Sequence, residues 1–267
     1  MVDNPHWAQR HRIVHSIETS KDRRMTDQLV SIVIPAYRAA PGIVDTIARI
    51  RHATTAIETE IIVVDDGSDD DTVYLARQAD VDKVVELKEN RGKGAAVRAG
   101  VSIASGSYVL FTDADLAYEP SQILNLVEAL SAGADVALGS RRHLASQEIN
   151  SPGAVREWGS RVFNRITRIV VPINHLDTQC GLKGFSAEAA QTIFGYSKLD
   201  GFAFDVEVLF LARKLGCVIT EIPVILDHVE QSTVKFIPEA VRMLWDVMRV
   251  RVWSNLGRYD DFPMRQS

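Results

Sequence analysis

From Leu29 onward the sequence alternates between short apolar runs and longer segments of helical period, and this alternation limits the possible folds more than any other feature. "LVSIVIP" (29–35), "EIIVVDD" (60–66), "KVVELK" (83–88), "YVLFTDAD" (108–115) and "DVALGSR" (135–141) read as strands. The stretches between them, such as "GIVDTIARIRHA" and "PSQILNLVEALS", read as helices. Strand–helix–strand repeats close by right-handed crossovers, so the expected class is α/β: a mostly parallel sheet with helices on both faces. A chain of 267 residues, 46% of them hydrophobic, has the core for one large domain with extensions. The expected division is a mobile polar segment over 1–28, a domain over 29–235, and an amphipathic helix with a polar tail over 236–267.

Sheets of this kind bind ligands at the carboxyl ends of their strands. The polar chemistry of this sequence lies there: residues 35–38 after the first strand, 65–68 after the second, 90–94 after the third, 113–115 after the fourth and 140–142 after the fifth. Each group also has a purely structural reading. "DDGSDDDT" serves as an Asx-turn and helix cap, and "NRGKG" as a glycine turn opening a helix, without the spacing of a P-loop. "LFTDADLAYEP" (110–120) is harder to explain in this way. Asp113 and Asp115, at i and i+2 of an extended chain with almost no basic residue nearby in sequence, repel each other unless a cation lies between them. Two hard carboxylates point to a divalent metal.

Other features narrow the function. A net charge of −5 argues against general nucleic-acid binding. Two cysteines, Cys180 and Cys217, make neither a metal cage nor a disulfide framework, which suits a reducing, cytoplasmic setting. No run reaches the roughly 18 apolar residues of a spanning helix. The first 28 residues lack the apolar centre of a signal peptide.

The ordered set "SIVIPAY" (31–37), "VVDDGSDDDT" (63–72), "ENRGKGAAVRAG" (89–100), "FTDADLAYEP" (111–120), "GSRR" (139–142), "DTQCGLKGF" (177–185) and "GFAFDVEVLFLARKLG" (201–216) resembles the family 2 glycosyltransferases. Within them it is most similar to the polyprenyl-phosphate (dolichyl-phosphate) sugar transferases, and "DTQCGLKGF" looks most like the glucosyl branch, with Leu182 where that branch commonly has Phe. The likeness covers about residues 29–235 and implies the GT-A (Rossmann-like) fold. It implies that Pro35, Tyr37, Asp65 and Asp66 contact the nucleotide, and that Asn90, Gly92 and Lys93 lie along the donor diphosphate. Asp113 and Asp115, with Ala114 between them, match the DxD motif that binds Mg²⁺ or Mn²⁺ on the diphosphate. Asp177 and Gln179 are implied at the sugar.

The resemblance also implies an inverting hexosyl transfer, with glucose from UDP-glucose the expected donor and a polyprenyl phosphate the acceptor. Arg141 is the implied clamp on the acceptor phosphate. Arg156 and Ser160 match a weaker pattern of the lipid-phosphate branch, and His228 and Ser232 fall where relatives have a closing loop. GDP-mannose as donor, or a saccharide hydroxyl as acceptor with Asp205 or Glu207 as base, stay open. So does a nucleotide-sugar-binding protein without turnover. A nucleotidyltransferase is disfavoured, because "IPAYRAAPG" lacks a glycine-rich lysine loop. Residues 154–171 and 236–256 place Trp158, Trp245 and Trp253 among arginines at helical spacing, as in helices that lie in a bilayer interface. The expected location is peripheral, at the cytoplasmic face of a membrane, with or without a separate membrane-protein partner.

Overall fold

The computed structural model describes residues 28–148, 165, 167, 170, 171, 177–226 and 236–263. The elements in chain order are β1 (Val30–Ala36), α1 (Ile43–Ala53), β2 (Thr59–Asp65), α2 (Thr72–Gln78), β3 (Lys83–Glu86), α3 (Lys93–Ile103), β4 (Tyr108–Phe111), α4 (Gln122–Ser131) and β5 (Val136–Ser140). There follow β6 (Gln147–Glu148), β7 (Lys183–Ser186), α5 (Ala187–Tyr196), α6 (Phe204–Leu215), β8 (Ile219–Pro223), β9 (Ile225–Leu226) and α7 (Phe236–Asn255). Seven strands make one sheet in the order β3-β2-β1-β4-β7-β5-β8, and β6 pairs with β9.

The expected α/β architecture is present, and the five expected strands form β1 to β5. Side chains alternate across β1. Val33 joins a layer with α3, α5, α6 and α7, whereas Ile32 and Ile34 join α1, α2 and α4 on the other face. Helix α1 shows why these segments fold as they do. Ile43, Ile47 and Ile50 share one buried face, while Asp45 in the first turn and Arg51 and His52 in the last complement the helix dipole. Helix α6 stops at Gly216, whose φ of 77° supplies the left-handed cap.

Three features differ from the sequence reading. First, β4 ends at Phe111, and the next residues turn. Leu116 N–H donates to the Asp113 carbonyl at 3.2 Å, and Leu116 has a φ of 47°. Asp113 and Asp115 therefore sit on a turn rather than on extended chain. Second, β7 was not anticipated. It runs antiparallel to both neighbours, with Lys183 opposite Phe111 of β4 and Leu138 of β5. Its first residue thus lies toward the carboxyl ends of β4 and β5. Third, the expected polar tail after α7 packs inward: Tyr259 and Phe262 are buried, in ring contact with Phe210 and Tyr196.

Helix α7 buries Val247 and Val250 in the core and leaves Val241, Trp245, Met248 and Val252 exposed, with Leu256 just past its end. Among the described residues no helix is long and apolar enough to cross a membrane. Most of the other expected amphipathic segment, 154–171, lies outside the described residues, as do Arg156, Ser160, His228 and Ser232.

Candidate functional site

The ends of β1 and β2 are tied together before any ligand is considered. Past β1, Tyr37 is exposed, and Arg38 pairs with Asp69 through two hydrogen bonds of 2.7 and 2.8 Å. Pro35 is half-buried within the strand. The two aspartates ending β2 have different duties. Both oxygens of Asp66 accept backbone N–H groups from the turn between β3 and α3, Arg91 at 2.8 Å and Gly92 at 2.7 Å. Burial pushes the Asp66 carboxyl upward against those two bonds. Asp65 spends Oδ2 on Ser68 N–H at 2.9 Å, while its buried Oδ1 has no hydrogen-bond partner in the protein. A buried oxygen without a donor is costly, so Asp65 is the member of the pair with capacity for a ligand.

The glycine turn also differs from expectation. Gly92 adopts a φ of 111°, and a Cβ there would lie 2.5 Å from the Asp200 carbonyl oxygen. That carbonyl accepts Gly94 N–H at 2.7 Å and Ala95 N–H at 3.2 Å. The backbone donors expected along a diphosphate, Gly92 among them, are thus satisfied by Asp66 and Asp200. Asn90 is exposed beside them. The group that this turn sends inward is the side chain of Lys93.

Lys93 Nζ lies 2.5 Å from Asp113 Oδ1. The carboxylate pair therefore does have a basic neighbour, brought by α3 from twenty positions earlier in the chain, a correction to the sequence reading. Burial works against the Lys93 charge, but Asp113 and Asp205 outweigh it and raise its pKa. The turn itself is anchored by Thr46, whose hydroxyl donates to the Ala114 carbonyl at 2.7 Å. Gly181 lies against it, since a Cβ there would fall 1.9 Å from Asp113 Oδ2. Asp115 is exposed at the rim; its carboxyl is pushed upward by desolvation against the turn and by repulsion from Asp113.

Beneath this pair Asp205 is buried and bonded to Lys183 Nζ at 2.7 Å, and Lys183, also buried, donates to the Cys180 carbonyl. Burial raises the Asp205 carboxyl. Glu207 accepts Lys198 N–H at 2.9 Å, Leu199 N–H at 2.7 Å and the Tyr259 hydroxyl. Neither carboxylate is presented to solvent as a base. Among the described residues no group of three or more His, Cys, Asp or Glu side chains is arranged to hold a metal. Asp113 and Asp115 still fit Mg²⁺ or Mn²⁺, because such ions use one or two carboxylates and complete their shells with phosphate oxygens and water.

A second unit stands at the end of β5. Asp177 accepts Arg141 Nε at 2.6 Å, Arg141 Nη2 at 2.9 Å, and the backbone N–H groups of Arg141 and Gln179 at 3.2 Å each. Despite full burial, these bonds hold its carboxyl down to about 2. Asp177, expected at a sugar, instead fixes the arginine, whose side chain stays 26% exposed. Gln179 is half-exposed alongside. Cys180 is buried next to Tyr118, and burial pushes its thiol up to about 11.

Sequence reasoning missed Gly181, Lys183 and Asp200. Only Lys183 left a signal, a lone lysine in the otherwise apolar "GLKGF".

The sequence model described as "Glycosyl transferase family 2" matches residues 31–194. A dolichyl-phosphate beta-glucosyltransferase of Dictyostelium discoideum is 32% identical over 251 residues, covering 85% of this chain and 75% of that one. One from Saccharomyces cerevisiae is 30% identical over 277 residues, covering 94% and 83%. Among solved structures, glucosyl-3-phosphoglycerate synthase from Mycobacterium tuberculosis, in complex with Mn²⁺, UDP and glucosyl-3-phosphoglycerate, superposes with a TM-score of 0.64 at 22% identity, covering 86% of this chain and 81% of that one. The family match over more than half the chain agrees with the sheet order and the strand-end carboxylates, and the chain belongs to glycosyl transferase family 2, sugar-transferring enzymes built here on a GT-A fold.

Proposed function

We infer that the protein transfers glucose from UDP-glucose to a polyprenyl phosphate with inversion, using Mg²⁺ or Mn²⁺, at the cytoplasmic face of a membrane. The observation that carries this reading is the Arg141–Asp177 unit: a guanidinium locked by a buried carboxylate, partly exposed at the same end of the sheet as Asp113 and Asp115. Planar, fixed guanidinium groups suit phosphate capture. A phosphate monoester, with a second pKa of about 6, is already a nucleophile at neutral pH and needs no protein base. The engagement of Asp205 and Glu207 in internal bonds fits an acceptor of that kind better than a sugar hydroxyl.

On this reading Asp113 and Asp115 hold the divalent ion, which when bound supplies charge stabilisation at the departing diphosphate. Asp65 offers its free Oδ1 to an N–H of the base, Pro35 and Tyr37 flank the nucleotide, and Lys93 carries compensating charge for the phosphates. Arg141 holds the acceptor phosphate on the opposite side of the sugar carbon. The exposed apolar residues of α7, with Arg242, Arg249 and Arg251 on the same helix, suit a bilayer surface that presents the lipid. The similarity to dolichyl-phosphate beta-glucosyltransferases supports both the donor sugar and the lipid acceptor.

The test is a radiolabelled transfer assay offering UDP-glucose, UDP-GlcNAc and GDP-mannose to a short polyprenyl phosphate with Mg²⁺ or Mn²⁺. Organic-extractable label from UDP-glucose, abolished in Asp115→Ala and reduced at least about 100-fold in Arg141→Ala, is the expected result. Label only from GDP-mannose would replace the donor. Metal-dependent hydrolysis without lipid product would overturn the acceptor.

A further inference from the structure

Five charged side chains form a continuous set under the turn that follows β4: Asp115 and Asp113 on the turn, Lys93 against Asp113, and Asp205 held by Lys183 below. Three carboxylates and two ammonium groups leave the set with one net negative charge. The Lys183–Asp205 pair is complete in itself, both partners buried and Lys183 additionally bonded to the Cys180 carbonyl. Lys93 is therefore the cation that neutralises the turn. Its Nζ lies over the rings of Phe111 and Phe204, 5.9 Å from each centroid, so the ammonium sits between two aromatic faces and Asp113.

A divalent ion joining Asp113 with Lys93 still in place would turn one net negative charge into one net positive charge in a half-buried site. Coulomb repulsion at such distances is weakly screened there. A diphosphate reverses the balance, because it brings negative charge to the ion and offers Lys93 an alternative anion. We propose that Lys93 is an internal counter-cation that competes with divalent metal for Asp113, so that the enzyme takes up metal tightly only together with the nucleotide diphosphate, which draws the lysine away. The proposal deepens the donor-site reading above and rests on it. Lys93 acts on the metal through Asp113 and is a positioning residue in this role.

The experiment is Mn²⁺ binding to the full chain, followed by the electron paramagnetic resonance signal of free Mn²⁺, with and without UDP, and with GDP in a parallel arm. Wild-type protein is expected to bind Mn²⁺ weakly alone and about tenfold or more tightly with UDP. Lys93→Met is expected to bind Mn²⁺ about tenfold more tightly than wild type in the absence of UDP, and to gain far less from it. Lys93→Arg, which keeps the charge, is expected to stay as weak as wild type without UDP. Misfolding or loosening of the site does not produce tighter metal binding, so the readout separates counter-cation from scaffold. If Lys93→Met binds Mn²⁺ alone no better than wild type while UDP still strengthens wild-type binding, the counter-cation inference is overturned and the donor-site reading stands. If neither UDP nor GDP changes Mn²⁺ binding to wild type, both are overturned.

Discussion

The carboxylates that sequence reading grouped by type are separated in the structure by what each one touches. Asp113 is placed by contact, with Gly181 so close that an added methyl group would fall 1.9 Å from its Oδ2. Gly181→Ala is therefore expected to displace that carboxylate and lower metal-dependent transfer by more than about tenfold while the melting temperature stays near wild type, checked by assay and calorimetry side by side. Asp177 has a structural duty measurable without substrate. Its carboxyl is held at about 2 by Arg141 and two backbone N–H groups, below the unfolded value of about 3.9, so its stabilising effect is fully present above pH 4 and is lost as pH falls toward 2. Urea denaturation of wild type and Asp177→Asn should differ by on the order of 2 kcal/mol at pH 7, with the gap closing between pH 4 and 2. None of these distinctions was legible in the sequence. A DxD pattern shows two acids, but not that a lysine twenty positions upstream lies against one of them.

At the scale of elements the sequence was more informative, and its failures have physical causes. Strands β1, β2, β4 and β5 announced themselves through apolar runs, because a strand covered on both faces needs them, and the edge strand β3 through the shorter run at Val84 and Val85. β7 did not, since "KGFS" has four residues, a charge and a glycine, and becomes a strand only between two neighbours that supply its pairing. The helix expected over 236–256 is present as α7, but the periodicity alone did not say which face would meet the core. Val247 and Val250 do, leaving Trp245 70% exposed. Trp245→Glu should consequently leave the melting temperature unchanged and weaken partition onto vesicles containing anionic lipid about tenfold, read by co-sedimentation. Equal partition of the two proteins would remove α7 from the membrane-facing surface.

Across the whole molecule, the chain's last described turn is tied to the helix that supports the site. Tyr259 donates its hydroxyl to Glu207, which in turn holds the Lys198 and Leu199 N–H groups just before Asp200, the residue whose carbonyl accepts the Gly94 and Ala95 N–H groups in the first turn of α3. Tyr259→Phe leaves a buried carboxylate one donor short, and is expected to cost about 1–2 kcal/mol in denaturant unfolding with a smaller effect on KM for the donor. The antiparallel β7 has a consequence in time as well as in space. The strands β3, β2, β1 and β4 pair with one another and are all available once residue 111 has been made. β4 and β5 must then wait for a strand that begins at Lys183 to thread between them. On a ribosome, half of the sheet can be in place while the gap beside β4 is still open. Asp113 gains its Gly181 wall only after residue 181 has been made.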